Sequence, residues 1–229
     1  GVLTSAVHLA ANDPRRLVDP RDTVPSLDDR ARSYLHANCS MCHHPRGNAI
    51  VSFYLRREMP FEKLNTNKGT GIGTFGMQDA KIIAPSDPYR SVLVYRMSKL
   101  GYARMPYIGS RVVDGWGVSL IQQWIKSLEG PETGPKSAPA ATGSPESIAL
   151  QRLSESDITR TERDAALGQL VSSTSGALAL LPRLYNAQVP SEEVKAAVTL
   201  GVASKSTDVR GLFETFVPES KRRPTLGPH

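Results

Sequence analysis

Cysteine is scarce in this chain: of 229 residues only Cys39 and Cys42 are cysteines, and they stand three positions apart. If both are engaged elsewhere, no thiol is left to cross-link the fold. Long apolar runs are also missing. No stretch approaches the ~20 consecutive apolar residues that a membrane-spanning helix needs. There is no Lys/Arg-rich run and no nucleic-acid-binding motif, which sets nucleic acid aside as a partner. Neither a second C-x-x-C nor an H-x-x-x-H is present to complete a compact zinc site. The chain begins Gly-Val-Leu, with no initiator Met and no basic-then-apolar signal. What remains, 39% hydrophobic and 22% charged residues, suits globular material of one large or two small domains.

What is present is concentrated in five residues. Cys39-Ser40-Met41-Cys42-His43 is a C-x-x-C-H run, the attachment signal for c-type haem. Two thiols on one helical turn can each add to a vinyl group of one porphyrin. The imidazole of His43, one position on, can then reach the iron from one side. A thioredoxin-like dithiol is the competing reading, but it expects a βαβ frame and no following histidine. The run therefore calls for one haem c, held covalently by Cys39 and Cys42, with His43 as an axial iron ligand. Haem is normally joined to this motif after export. A periplasmic or otherwise extracytoplasmic location follows, and the chain reads as a mature or excised piece whose signal lay upstream.

Along the chain, residues 1–25 read as an extended leader. Ser26 begins a helix that carries Leu27, Ala31, Tyr34 and Leu35 on one face into Cys39. A short helix is expected around Val51–Arg57, and a Gly-rich loop at Lys68–Gly76. Ser86-Asp87-Pro88 should start a helix running through Met97 towards Leu100. Asp114 should cap another over Gly115–Leu128, with Leu120, Ile121, Trp124 and Ile125 as its apolar stripe. The Pro-rich stretch 131–147 reads as a linker. Beyond it, Thr159–Ser172, Gly176–Asn186, Ser191–Ser204 and Thr207–Phe216 read as four short helices, a small HEAT-like set of hairpins. The expected fold is all-α, with a haem domain at 26–130 and a separable helical docking module at 148–229. A chain ending near Gly130 should on this reading still fold and bind haem.

The second axial position has more candidates: Met41, Met59, Met77, Met97 and Met105, with His8, His36, His44 and His229. Met41 lies inside the attachment turn and faces the wrong way. The side chain of His44 is rotated ~100° from that of His43. Met97 sits on an apolar helical stripe, where packing is the simpler role. Met77 follows the Gly-rich loop, and Met59, which precedes Pro60, stays open. Met105 fits best, because it lies in an inter-helix loop whose backbone Pro106 stiffens. A thioether there favours ferrous iron and raises the potential relative to two imidazoles.

An N-terminal helix, C-x-x-C-H, a Met-Pro loop and a C-terminal amphipathic helix, in that order, resemble a class I cytochrome c. That resemblance implies that the first and last helices cross, bringing the Tyr34/Leu35 face to the Leu120/Trp124 face. The segments 31–39, 84–88 and Arg104-Met105-Pro106 are similar to the cytochrome c modules of large planctomycete-type exported haem proteins. The likeness covers residues 19–128. A weaker one, over 170–225, is to the helical segment preceding a second haem module, but no second C-x-x-C-H follows here. The implied function is one-electron transfer, without enzymatic turnover, as a subunit of a larger redox complex. Two alternatives stand beside it: a peroxidase-like or gas-binding haem enzyme with an open sixth position, and a structural assembly subunit. The net charge of +6 lies entirely within residues 26–130, with 14 Lys and Arg against 8 Asp and Glu, so an acidic redox protein is the expected partner.

Overall fold

Five α-helices begin at a side-chain cap: Ser26, Asp114, Thr159, Ser173 and Ser206. The computed structural model describes residues 10, 13, 16–108, 110–130, 145–186 and 189–222. Among these residues there are eight α-helices, short 3₁₀ turns, two isolated bridges and no strand, so the chain is all-α. No helix among them is long and apolar enough to cross a membrane. Much of the expected leader and linker, residues 131–144 included, lies outside the described residues, as do His8 and His229. The chain forms two compact units, residues 1–66 and 67–229.

In the first unit, α1 spans Leu27–Cys39. The Ser26 hydroxyl accepts from the Asp29 amide at 3.1 Å and donates to the Asp29 carboxylate at 2.9 Å. Asp28 and Asp29 place negative charge at the positive end of the helix dipole. Ala31, Leu35 and Cys39, spaced by four, form one buried edge, and Ser33 is buried on the opposite side. Leader residues run back over this helix, where the Val18 amide donates to Ser33 Oγ and Arg30 Nε donates to the Pro20 carbonyl. The helix expected at Val51–Arg57 does not form. The Tyr54 amide donates to the Leu64 carbonyl and the Leu55 amide to the His43 carbonyl, both at 2.8 Å. Amides used for distant carbonyls cannot also close helical turns. A 3₁₀ turn at Phe61–Leu64 follows instead.

The second unit begins with irregular chain and then a broken helix. Asp87 caps a 3₁₀ turn, Pro88–Arg90, and α2 occupies only Val92–Met97. The single helix expected there is interrupted at Ser91, whose hydroxyl accepts from the Ala84 amide and donates to the Asp87 carbonyl. These bonds hold Ser91 in extended backbone. Helix α3 runs Gly115–Ser127 with Asp114 as its cap, and Leu120, Ile121, Trp124 and Ile125 are buried as the stripe requires. Five helices follow: α4 Pro145–Arg152, α5 Arg160–Leu170, α6 Thr174–Leu184, α7 Ser191–Ala203 and α8 Thr207–Phe213. Helix α4 was not expected, and it takes residues 145–147 out of the linker. Thr159 and Glu162 form a reciprocal capping box on α5. Gly201 lets α7 close onto α8, since a Cβ there would overlap the Phe213 ring.

The compact units do not coincide with the compositional boundaries. Residues on both sides of 131–147 share one core. Gln122 on α3 donates to the Leu178 carbonyl at 3.1 Å in a buried setting. Thr174 Oγ1 donates to the Phe75 carbonyl, and Ser175 Oγ to that of Tyr89. A Cβ on Gly115 would stand 2.6 Å from the Tyr185 ring. A Pro- and Ser-rich stretch reports local backbone preference, not whether the faces it connects meet. Helix α6 meets α3, and described residues on both sides of 131–144 belong to one compact unit.

Candidate functional site

Cys39 is the last residue of α1, and the helix delivers the motif as it ends. The Ser40 amide still reaches the His36 carbonyl at 3.1 Å. The Cys39 carbonyl then accepts from both the Cys42 amide, at 3.2 Å, and the His43 amide, at 3.0 Å. These i+3 and i+4 bonds put Cys39, Cys42 and His43 on one side of a single turn. Cys39 is buried; Cys42 and His43 are half-buried.

His43 is held at two points, one on the ring and one on the backbone. Phe53 stacks on its face, with centroids 4.0 Å apart and planes 26° apart, and the Leu55 amide bonds its carbonyl. Face stacking fixes the rotation of an imidazole without using its in-plane lone pairs, which are the electrons a metal takes. This is the work of the extended segment where a helix was expected. Phe53 carries no signal in the sequence that ties it to His43. Gly47 could have been noticed, as a glycine just beyond the motif. Its amide donates to the His44 carbonyl at 2.8 Å, and a Cβ would overlap the Cys42 carbonyl and stand 2.9 Å from that of His44. Gly47→Ala is expected to destabilise this turn by about 1–3 kcal/mol. Thermal melting checks it against Gly69→Ala, where a Cβ meets nothing within 4 Å. Equal melting temperatures for the two variants would contradict the packing described.

Burial, and secondarily the neighbouring Cys42, pushes the Cys39 thiol up to about 12. Disulfide exchange needs a thiolate, and reactive C-x-x-C pairs have depressed pKa values. Cys39 has the opposite environment. Among the described residues no three His, Cys, Asp or Glu side chains gather where they could hold a bare metal ion.

The other candidate ligands fall into distinct settings. His36 Nδ1 accepts from the Arg57 amide at 3.1 Å and lies 3.6 Å from Glu58; burial holds its pKa below the usual histidine value. His44 Nδ1 lies 2.9 Å from the Pro45 carbonyl. Met41 is 71% exposed, whereas Met77 and Met97 are buried in the core of the second unit. Met59 is half-buried in the first unit, and its carbonyl accepts from Arg32. Met105 is half-buried in the loop joining α2 to α3, where its amide donates to the Arg96 carbonyl at 2.9 Å. Arg96 also reaches the Ala103 carbonyl at 3.4 Å, and Lys99 donates to that of Tyr102 at 2.6 Å. The loop that carries Met105 is thus tied down on α2.

No protein-family model, curated protein or solved structure matches this chain.

Proposed function

We propose that this chain is a monohaem c-type cytochrome, with a class I arrangement of the haem-binding part and HEAT-like packing of α4–α8, that passes single electrons within an exported redox complex. The observation carrying this reading is the turn at the end of α1. There one carbonyl, that of Cys39, gathers the amides of Cys42 and His43, so that the two cysteines and the histidine share a single backbone turn. The environment of Cys39 supports it too, because a thiol of raised pKa suits a permanent thioether better than a cycling disulfide.

In this reading Cys39 and Cys42 would hold a haem through thioether bonds, and His43 and Met105 would be its nitrogen and sulfur ligands. A haem held in this way contributes one-electron Fe(III)/Fe(II) exchange. The protein contributes the rest. Phe53 keeps the His43 ring from turning, and the Leu55 amide fixes its backbone. The hydrogen bond from the Met105 amide to Arg96 limits how far the thioether can wander. Ligation by both His43 and Met105 would favour electron transfer over peroxidase or gas chemistry. An acidic partner would be steered by exposed cations such as Arg46 and Lys63. Arg56 and Arg57 suit that role less well, being paired with Glu58 at 2.7 Å and Asp29 at 2.6 Å.

Haem in protein matured by a c-type assembly pathway is expected to stay with the polypeptide through acid–acetone extraction. Cys39→Ser combined with Cys42→Ser should release all of it. Loss of colour from the unaltered protein would end the covalent reading.

A further inference from the structure

Helix α8 lies over the foot of the Met105 loop, which haem attachment by itself does not require. Tyr95, on α2, is fully buried, and its hydroxyl donates to the Asp208 carboxylate at 3.3 Å and to the Asp208 carbonyl at 3.4 Å. One turn further along α8, a Cβ on Gly211 would stand 3.2 Å from Lys99 Cε and 4.0 Å from the Tyr95 hydroxyl. Lys99 Nζ sits 5.4 Å from the centre of the Tyr95 ring and donates to the Tyr102 carbonyl. The other face of the assembly is closed by Phe75, stacked on Tyr95 at 4.3 Å, with the Arg96 guanidinium 5.3 Å from the Phe75 ring. Arg96 is the residue whose carbonyl receives the Met105 amide.

Asp208, Tyr95 and Arg96 therefore form a continuous path from α8 to the backbone of Met105. Each link is one side chain or one peptide long. Burial, reinforced by the Asp208 charge, raises the Tyr95 pKa above the ordinary phenol value, so its hydroxyl stays a donor. Burial lowers the Lys99 pKa while the Asp208 charge opposes that, which is the sign expected for a carboxylate facing the ammonium.

We infer that Asp208 is a positioning residue for Met105: by holding Tyr95 and facing Lys99, α8 fixes the loop that presents the thioether, so the C-terminal helices tune the iron site. This rests on the reading of Met105 as an iron ligand given above. A looser loop leaves the sulfur detached for a larger fraction of the time. A competing ligand then binds with an apparent affinity raised by that fraction.

Three variants of the full chain carrying haem test this: Asp208→Ala, Asp208→Asn and Tyr95→Phe. Two quantities are measured well below the melting temperature: amide hydrogen exchange at Met105 and the affinity of ferric protein for added imidazole. Asp208→Ala should speed Met105 exchange about tenfold and tighten imidazole binding about fivefold or more. Tyr95→Phe keeps the ring stack and should move both in the same direction. Asp208→Asn keeps an acceptor and should restore most of the protection. Thr159→Ala, which removes a cap from α5 in the same unit, should lower the melting temperature and leave both readouts unchanged. Met105 exchange unaltered in Asp208→Ala, or altered equally in Thr159→Ala, would overturn the inference while leaving the cytochrome reading intact. If instead the unaltered ferric protein lacks the far-red sulfur–iron band, the axial assignment on which the inference rests falls, whatever the exchange data show.

Discussion

A chain ending at Gly130 is expected to lose the fold of residues 67–130. That outcome opposes what the linker-like composition of 131–147 suggests. The truncation removes α6, whose Leu178 carbonyl receives Gln122, and α8, whose Asp208 receives the buried Tyr95 hydroxyl. It also removes the Tyr185 ring that lies against Gly115. Each large apolar side chain returned to water costs about 1.5–3 kcal/mol. Uncovering a handful along α3 therefore costs about as much as the ~5–15 kcal/mol that holds a domain of this size folded. Near-ultraviolet circular dichroism and dye binding should report lost packing in the 1–130 chain. In the full chain α3 and α6 should melt in one transition. The Cys39–His43 turn belongs to the other unit, so covalent haem can persist in the truncated chain while sulfur ligation by Met105 is lost. A truncated protein with native dichroism and an unshifted melting curve would show that residues 67–130 stand alone.

Met105→Ala carries the second large effect. Loss of the thioether should convert low-spin ferric haem to a high-spin or water-ligated form. It should also abolish the far-red sulfur–iron band and lower the reduction potential, because a soft donor favouring the ferrous state is gone. The cost to folding should be modest, about 1–2 kcal/mol, since the side chain is only half-buried. Spectrum and stability therefore separate, and a structural methionine would not show that separation. Met97→Ala serves as the converse, because that side chain is buried and its removal should destabilise without touching the band. A band that survives Met105→Ala and vanishes in Met59→Ala would move the axial role to Met59.

Local signals were read well from the sequence wherever the determinant lies within a few residues. Ser26, Asp114 and Thr159 start helices as capping chemistry requires, and the four-residue spacing of Ala31, Leu35 and Cys39 gives the buried edge of α1. The all-α class follows from such periodicities alone. The turn Cys39–His43 is equally local, since its backbone is closed by bonds no longer than i+4.

Where the sequence misleads, a distant partner has taken a group that local preference would have used otherwise. Val51–Arg57 stays extended because His43 and Leu64 accept its amides, and the helix after Pro88 breaks because Ser91 is held by Ala84 and Asp87. The stacking of Phe53 on His43 and the reach of Asp208 to Tyr95 are likewise invisible to periodicity, as nothing in the spacing of such residues encodes contact. What the sequence alone determined is the helical class and the closing of the Cys39–His43 turn, both set by neighbours along the chain. Tertiary structure alone decided how the His43 ring is held, and that α4–α8 share a core with the Met105 loop, because those depend on which faces remain to be covered once each helix has formed.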